Sequence, residues 1–185
     1  MNKTADKIKK RNNAKDVFYT PLPLVKKHLE YVKQYVKDGD IIFDPFFGTG
    51  NYYNTYNEYF KNNTFEFTEI SMGKDFFDFH IKDKPIGAII SNPPYSIIDK
   101  VLEKSVQLNP RIISYLIALH NLTTRRIEYM NKNGYTLVSM KMMKVNEWFG
   151  MSAIVVFIDS NICNHNCIDY DRTIYYMEKE DIIDL

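Results

Sequence analysis

Apolar positions along the chain recur at two spacings, and together these predict an alternating series of helices and strands. Leu24, Val25, Leu29, Val32, Tyr35 and Val36 are spaced as one face of a helix that Thr20 or Pro21 starts. Lys37-Asp38-Gly39-Asp40 supplies turn residues, and Ile41-Ile42-Phe43 follows as a short buried strand. A polar, Tyr-rich helix is expected over residues 51–61. Phe65 and Phe67 alternate with polar neighbours over residues 64–68, a second strand that ends at Glu69. Residues 73–78 read as a loop or one short turn. The run Ile86-Gly87-Ala88-Ile89-Ile90-Ser91 is apolar throughout, as a strand buried on both faces would be. A helix over residues 97–108 closes at Asn109-Pro110, a strand spans 111–119, and a helix over 123–131 ends near Asn133-Gly134. Residues 135–145 and 152–158 are two strands with no helix between them, an antiparallel pair around Glu147-Trp148-Phe149-Gly150. Alternating strand and helix predicts an α/β protein with a mostly parallel sheet, and the terminal hairpin adds one reversed strand.

Composition changes this picture little. The chain has 185 residues, enough for one domain with a real core, and a net charge of +1. The charge is uneven: Lys3, Lys7, Lys9, Lys10, Arg11 and Lys15 crowd the start, opposed there by Asp6. Such a stretch suits a nucleic-acid arm as well as it suits a solvated terminus. The expected organisation is a basic arm over residues 1–16, a domain over 17–160 and a tail over 161–185. No apolar run is long enough to span a membrane and no signal peptide is evident, so an intracellular protein without a membrane partner is expected. The two cysteines imply no disulfide framework. Cys163-Asn164-His165-Asn166-Cys167 matches no common zinc spacing and lacks a second ligand pair, so no metal is expected.

Two segments carry candidate chemistry. Asp44-Pro45-Phe46-Phe47-Gly48-Thr49-Gly50 joins the first strand to a helix, a geometry used for nucleotide cofactors, with Gly48 and Gly50 allowing close backbone approach. It is neither a G-x-G-x-x-G loop nor a P-loop, and an acid at its head suits a cationic ligand better than a pyrophosphate. S-adenosyl-L-methionine, with an ammonium, a sulfonium and a ribose, fits the acidic positions Asp44, Glu69 and Asp75. Asn92-Pro93-Pro94-Tyr95 ends the apolar strand before it, where α/β sheets place their ligands. The prolines fix the backbone, leaving an amide, a carbonyl and an aromatic ring to meet an amino group on a flat ring.

Phe18-Tyr19-Thr20-Pro21, the Asp44–Gly50 loop, Glu69, Asp75-Phe76 and Asn92-Pro93-Pro94-Tyr95 occur in that order. In this the chain resembles the gamma-arrangement N6-adenine DNA methyltransferases over roughly residues 17–158. The resemblance implies a Rossmann-like class I methyltransferase sheet of seven strands, mostly parallel, with helices on both faces. It implies that Tyr19, Thr20 and Pro21 border the cofactor's methionine moiety, and that Asp44, Pro45, Phe46, Gly48 and Gly50 line its loop. Glu69 would bind the ribose, and Asp75 and Phe76 would hold the cofactor's adenine. The Asn92 side-chain oxygen and the Pro93 carbonyl would accept the hydrogens of the target amino group, with Pro94 rigidifying the turn. Tyr95 would stack on an extruded base, with Trp148 or Phe149 as the opposite wall.

The activity so implied is methyl transfer to the N6 amino group of adenine in DNA. The same chemistry on adenine or guanine of RNA ranks behind it, ahead of protein glutamine methylation or a non-catalytic subunit. Neither cysteine follows a proline or a core strand, which disfavours carbon methylation of cytosine. Little chain remains after residue 160 for a separate target-recognition domain. Recognition would then come from loops, the basic arm, a partner subunit or a homodimer.

Overall fold

The strands form because their apolar residues bury completely. In a computed structural model that describes residues 19–81, 84–145, 148 and 150–162, β3 (Ile86–Ser91) and β4 (Ile112–Ala118) are buried at every position. They pair in parallel at the middle of the sheet, which explains why their sequences are unbroken apolar runs rather than alternating ones. β1 (Ile41–Asp44) lies parallel between β3 and β2 (Thr64–Phe67), while β5 (Tyr135–Met143) and β6 (Ser152–Asp159) form the expected antiparallel hairpin. The order across the sheet is β2-β1-β3-β4-β6-β5, with β6 antiparallel to β4.

The helices are α1 (Leu22–Val32), α2 (Asn51–Tyr59), α3 (Ile98–Gln107) and α4 (Thr124–Lys132). Successive strand residues point to opposite faces. On one face Val25 and Leu29 of α1 and Tyr52 and Tyr56 of α2 pack on Ile42, Ala88 and Ile90. On the other, Ile98, Val101 and Leu102 of α3 and Met130 of α4 pack on Phe43, Ile89, Ile113 and Tyr115. This is a Rossmann-like sandwich with helices on both sides.

The sheet described here has six strands, not seven. After β2 the chain makes a short turn over Ile70–Met72 and an isolated bridge between Glu69 and Lys74, then runs irregularly toward β3. A further strand here would need two crossovers of at least about 10–12 residues each. Residues 68–85 are too few for both, so β2 stays at the edge. The basic arm, Phe18, Phe149 and both cysteines lie outside the described residues, as does most of the tail. No described helix is long and apolar enough to cross a membrane.

Candidate active site

Four strand ends converge on one sheet edge. β1 ends at Asp44, in register with Phe67 near the end of β2. β3 ends at Ser91, opposite Tyr115 of β4. The edge is therefore where the Asp44 loop, Glu69 and the Asn-Pro-Pro-Tyr segment all emerge.

Asp44 is fully buried. Its Oδ1 accepts the Ser91 hydroxyl proton at 2.6 Å and the Phe46 N–H at 3.2 Å. Its Oδ2 is buried and accepts no hydrogen bond. Burial raises the carboxyl to about 7; the bonds from Ser91 and Phe46 offset part of that rise, and the charge of Glu69 adds to it. A buried carboxylate oxygen with no donor is costly unless a cation meets it.

The loop beyond Asp44 is folded back on β2. Phe47 N–H donates to Thr68 O at 3.2 Å, and the Thr68 hydroxyl donates to Pro45 O at 2.8 Å. Gly50, the residue before α2, has φ +82°, and a Cβ there would lie 2.6 Å from the Phe47 ring. Gly48 also has positive φ, and the Tyr19 ring lies 3.3 Å from where its Cβ would be. The backbone is thus bare at Gly48 beneath Tyr19, which is 58% exposed.

Glu69 closes the loop from the other side. Its Oε2 accepts the Gly48 N–H at 2.9 Å, and its Oε1 accepts the Ser71 N–H at 3.1 Å and the Ser71 hydroxyl at 2.8 Å. Partial burial raises this carboxyl, but the three hydrogen bonds outweigh it and hold the group below its ordinary value. A carboxylate has about four lone-pair positions, so Oε2 can still accept a hydroxyl.

Asp75 Oδ1 accepts the Phe77 N–H at 2.9 Å. It also lines a cavity of about 850 Å³ beside β2, with Ile70, Lys74 and Phe79. That cavity reaches Thr68, which is bonded to the loop after β1; Asp44 and Asn92 are not among its lining residues. The Phe76 ring is 3% exposed and packs on Phe43 and Phe46 in the core. Its contact with the site runs through Phe46.

Thr20 is the joint between the two segments. Its carbonyl accepts the Asn51 side-chain amide at 2.8 Å, which ties it to the first residue of α2. Its hydroxyl oxygen accepts from Asn92 Nδ2 at 2.9 Å. Pro21 caps α1, its carbonyl accepting from Leu24 and Val25 N–H at 3.0 Å each. Pro93 is buried, Pro94 half-buried, and Tyr95 packs partly on the core beside α3. Trp148 rests half-buried on Leu24, Met143, Val145 and Ile154.

Several residues now in the site were not singled out by sequence. Ser91 and Asn51 flank the recognised segments. His28 and Tyr52, both buried, hydrogen-bond each other at 2.7 Å behind Thr20. A histidine set among Leu24, Val25, Leu29 and Val32 on an apolar helix stripe was the available signal. Arg126 donates to Asp99 at 2.6 Å and to Asn121 O at 2.7 Å, tying α4 to α3. No cluster of three metal-ligating side chains occurs among the described residues.

No protein-family model matches the chain. No curated protein matches its sequence. Solved structures match in fold. The methyltransferase subunit of a type I restriction-modification system from Streptococcus thermophilus aligns with a TM-score of 0.57 at 13% identity, over 77% of this chain and 44% of that one. The N-terminal domain of human METTL16, in complex with SAH, gives 0.55 at 12% identity, over 76% and 72%. The E. cuniculi Mtq2–Trm112 complex, responsible for methylating the eRF1 translation termination factor, gives 0.54 at 15% identity, over 77% and 98%. The chain has the Rossmann-like fold that these methyltransferases share.

Proposed function

We propose that this chain is an S-adenosyl-L-methionine-dependent methyltransferase acting on the exocyclic N6 amino group of adenine in DNA. The observation that carries the reading is the buried, donor-less Oδ2 of Asp44, one hydrogen bond from Ser91 and so next to Asn92. An acid at the head of a loop whose Gly48 and Gly50 carry no side chain suits the cofactor's ammonium, and Glu69, bonded to the Gly48 N–H, stands beside the loop for its ribose. When bound, the cofactor supplies an electrophilic methyl group on sulfonium.

The chain's own residues do the rest. An amino nitrogen on an aromatic base is a poor nucleophile because its lone pair is delocalised into the ring. Asn92 Oδ1 and the Pro93 carbonyl accept its two hydrogens and draw the nitrogen toward tetrahedral geometry. Catalysis is then positioning and hydrogen bonding, without a covalent enzyme intermediate. Tyr95 stacks on the extruded base, and Trp148 approaches from the hairpin side. The polymer is assigned on the Tyr-Thr-Pro, cofactor-loop, Asn-Pro-Pro-Tyr order.

The test uses the full chain with labelled cofactor and matched adenine-containing DNA and RNA oligonucleotides, followed by nucleoside analysis. N6-methyladenine in DNA is expected, and Asn92→Ala should abolish it while cofactor affinity stays within about 2-fold, because Asn92 contacts the amino group and not the cofactor. Methylation of RNA alone would move the substrate assignment, and full turnover in Asn92→Ala would refute the mechanism.

A further inference from the structure

A chain of hydrogen bonds runs from Asn92 to the middle of the sheet, and its far end dictates its direction. Ser114, on β4, donates its hydroxyl proton to Val155 O at 3.0 Å. With its single proton committed, its oxygen accepts from His28 Nε2 at 2.8 Å. His28 is fully buried, and desolvation holds its imidazole down at about 3, so the ring is neutral and its one proton sits on Nε2. Nδ1 must then accept, and its partner at 2.7 Å is the Tyr52 phenol. Tyr52 has given its proton to His28, so its oxygen is left to accept from the Thr20 side chain, whose interaction offsets part of the rise that burial imposes on the phenol. Thr20, its own proton spent, accepts from Asn92 Nδ2 at 2.9 Å.

The direction matters because an amide has two different ends. With Nδ2 turned to Thr20, Oδ1 occupies the other arm. The opposite histidine tautomer would reverse every bond: Tyr52 would donate to Thr20, Thr20 would donate to Asn92, and the Asn92 oxygen would be drawn to Thr20. Nδ2 would then face a substrate amino group that itself needs an acceptor. We propose that His28 is a positioning residue for Asn92: through Tyr52 and Thr20 it decides which end of the Asn92 amide faces the substrate. This rests on Asn92 being the acceptor for the target amino group.

Tyr52→Phe breaks the chain beside His28 with little change in volume, and Ser114→Ala removes its far acceptor without touching the site. Tyr115→Phe is the control, since it removes another buried phenol, bonded to Ser105 at 2.7 Å and outside the chain. Nitrogen-15 NMR of the full protein reads the His28 tautomer and the Asn92 side-chain amide directly. Wild-type His28 is expected as the Nε2–H tautomer. The Asn92 amide resonances should move in Tyr52→Phe and Ser114→Ala and stay in place in Tyr115→Phe. On the adenine-containing oligonucleotide methylated by the wild type, kcat should fall about 10-fold in both chain variants, the scale of one lost hydrogen bond, with cofactor affinity unchanged. Asn92 resonances that match the control in both variants overturn the proposal, as does a fallen kcat with those resonances unmoved. If the wild type methylates neither polymer, the functional reading falls, and the Asn92 resonances alone decide the positioning role.

Discussion

Under the proposed function, the carboxyl of Asp44 should couple cofactor binding to proton release. In the ligand-free protein burial raises it to about 7, so below that pH the group is mostly neutral. A cofactor ammonium needs the carboxylate, and by linkage its binding must expel the proton. With a value near 7, about 1% of the protein is ionised at pH 5 and about half at pH 7, so affinity should rise about 50-fold, or about 2.3 kcal/mol. The rise should level off above pH 7, where an α-amino group of ordinary value about 7.7–8.0 starts to lose its own charge. Titration calorimetry with S-adenosylmethionine in two buffers of different ionisation enthalpy should count about 0.9 proton released per site at pH 6. Asp44→Asn keeps an acceptor for Ser91 and Phe46 but has no charge, so its affinity should be weaker at pH 7 and nearly flat with pH. Equal wild-type affinity at pH 5 and pH 7, in protein folded at both, would refute the assignment of Asp44 to a cationic ligand.

Stability gives an independent check on the same buried groups. Folded Asp44 keeps a proton that the unfolded chain releases from its ordinary value of 3.8 upward, so its share of stability falls as pH rises toward about 7. Folded His28 refuses a proton that the unfolded chain takes up below 6.5, so its share is lost as pH falls toward about 3. The two slopes oppose between about pH 4 and 6.5; in Asp44→Asn, urea unfolding should show stability rising by about 1.4 kcal/mol per pH unit across that window, and a flat profile would reject the pairing. Glu69→Ala removes the acceptor for Gly48 and Ser71 N–H, and cofactor affinity should drop about 10-fold with little change in unfolding midpoint. A Cβ on Gly87 would lie 2.3 Å from Asp40 Cγ, and Asp40 pairs with Arg111, so Gly87→Ala should destabilise by about 2 kcal/mol in denaturant unfolding. An unchanged midpoint there would mean that Asp40 can move aside without loss.

The chain's local patterns determine most of the architecture. β3 and β4 are legible because strands buried on both faces must be apolar throughout, and the loops after β1 and β3 are legible because Gly and Pro impose backbone states that few sequences share. The candidate site was legible for the same reason: Asp44, Glu69 and Asn92 each stand at the end of a strand that the pattern predicts, and a parallel sheet brings such ends to one edge. What the pattern leaves open is anything that depends on distance across the fold. That the described residues form six strands and not seven follows from the shortness of residues 68–85, and the burial of Phe76 follows from its packing against Phe43 and Phe46. The bonds that orient Asn92 join residues separated in sequence by 24, 72 and 86 positions. His28 reads locally as one polar residue on an apolar helix stripe; only the packing of α1 and α2 on one face of the sheet sets it between Tyr52 and Ser114. Sequence alone placed the acid and the amide at one edge, and tertiary packing decided which way the amide points, because a hydrogen-bond chain takes its direction from its far end.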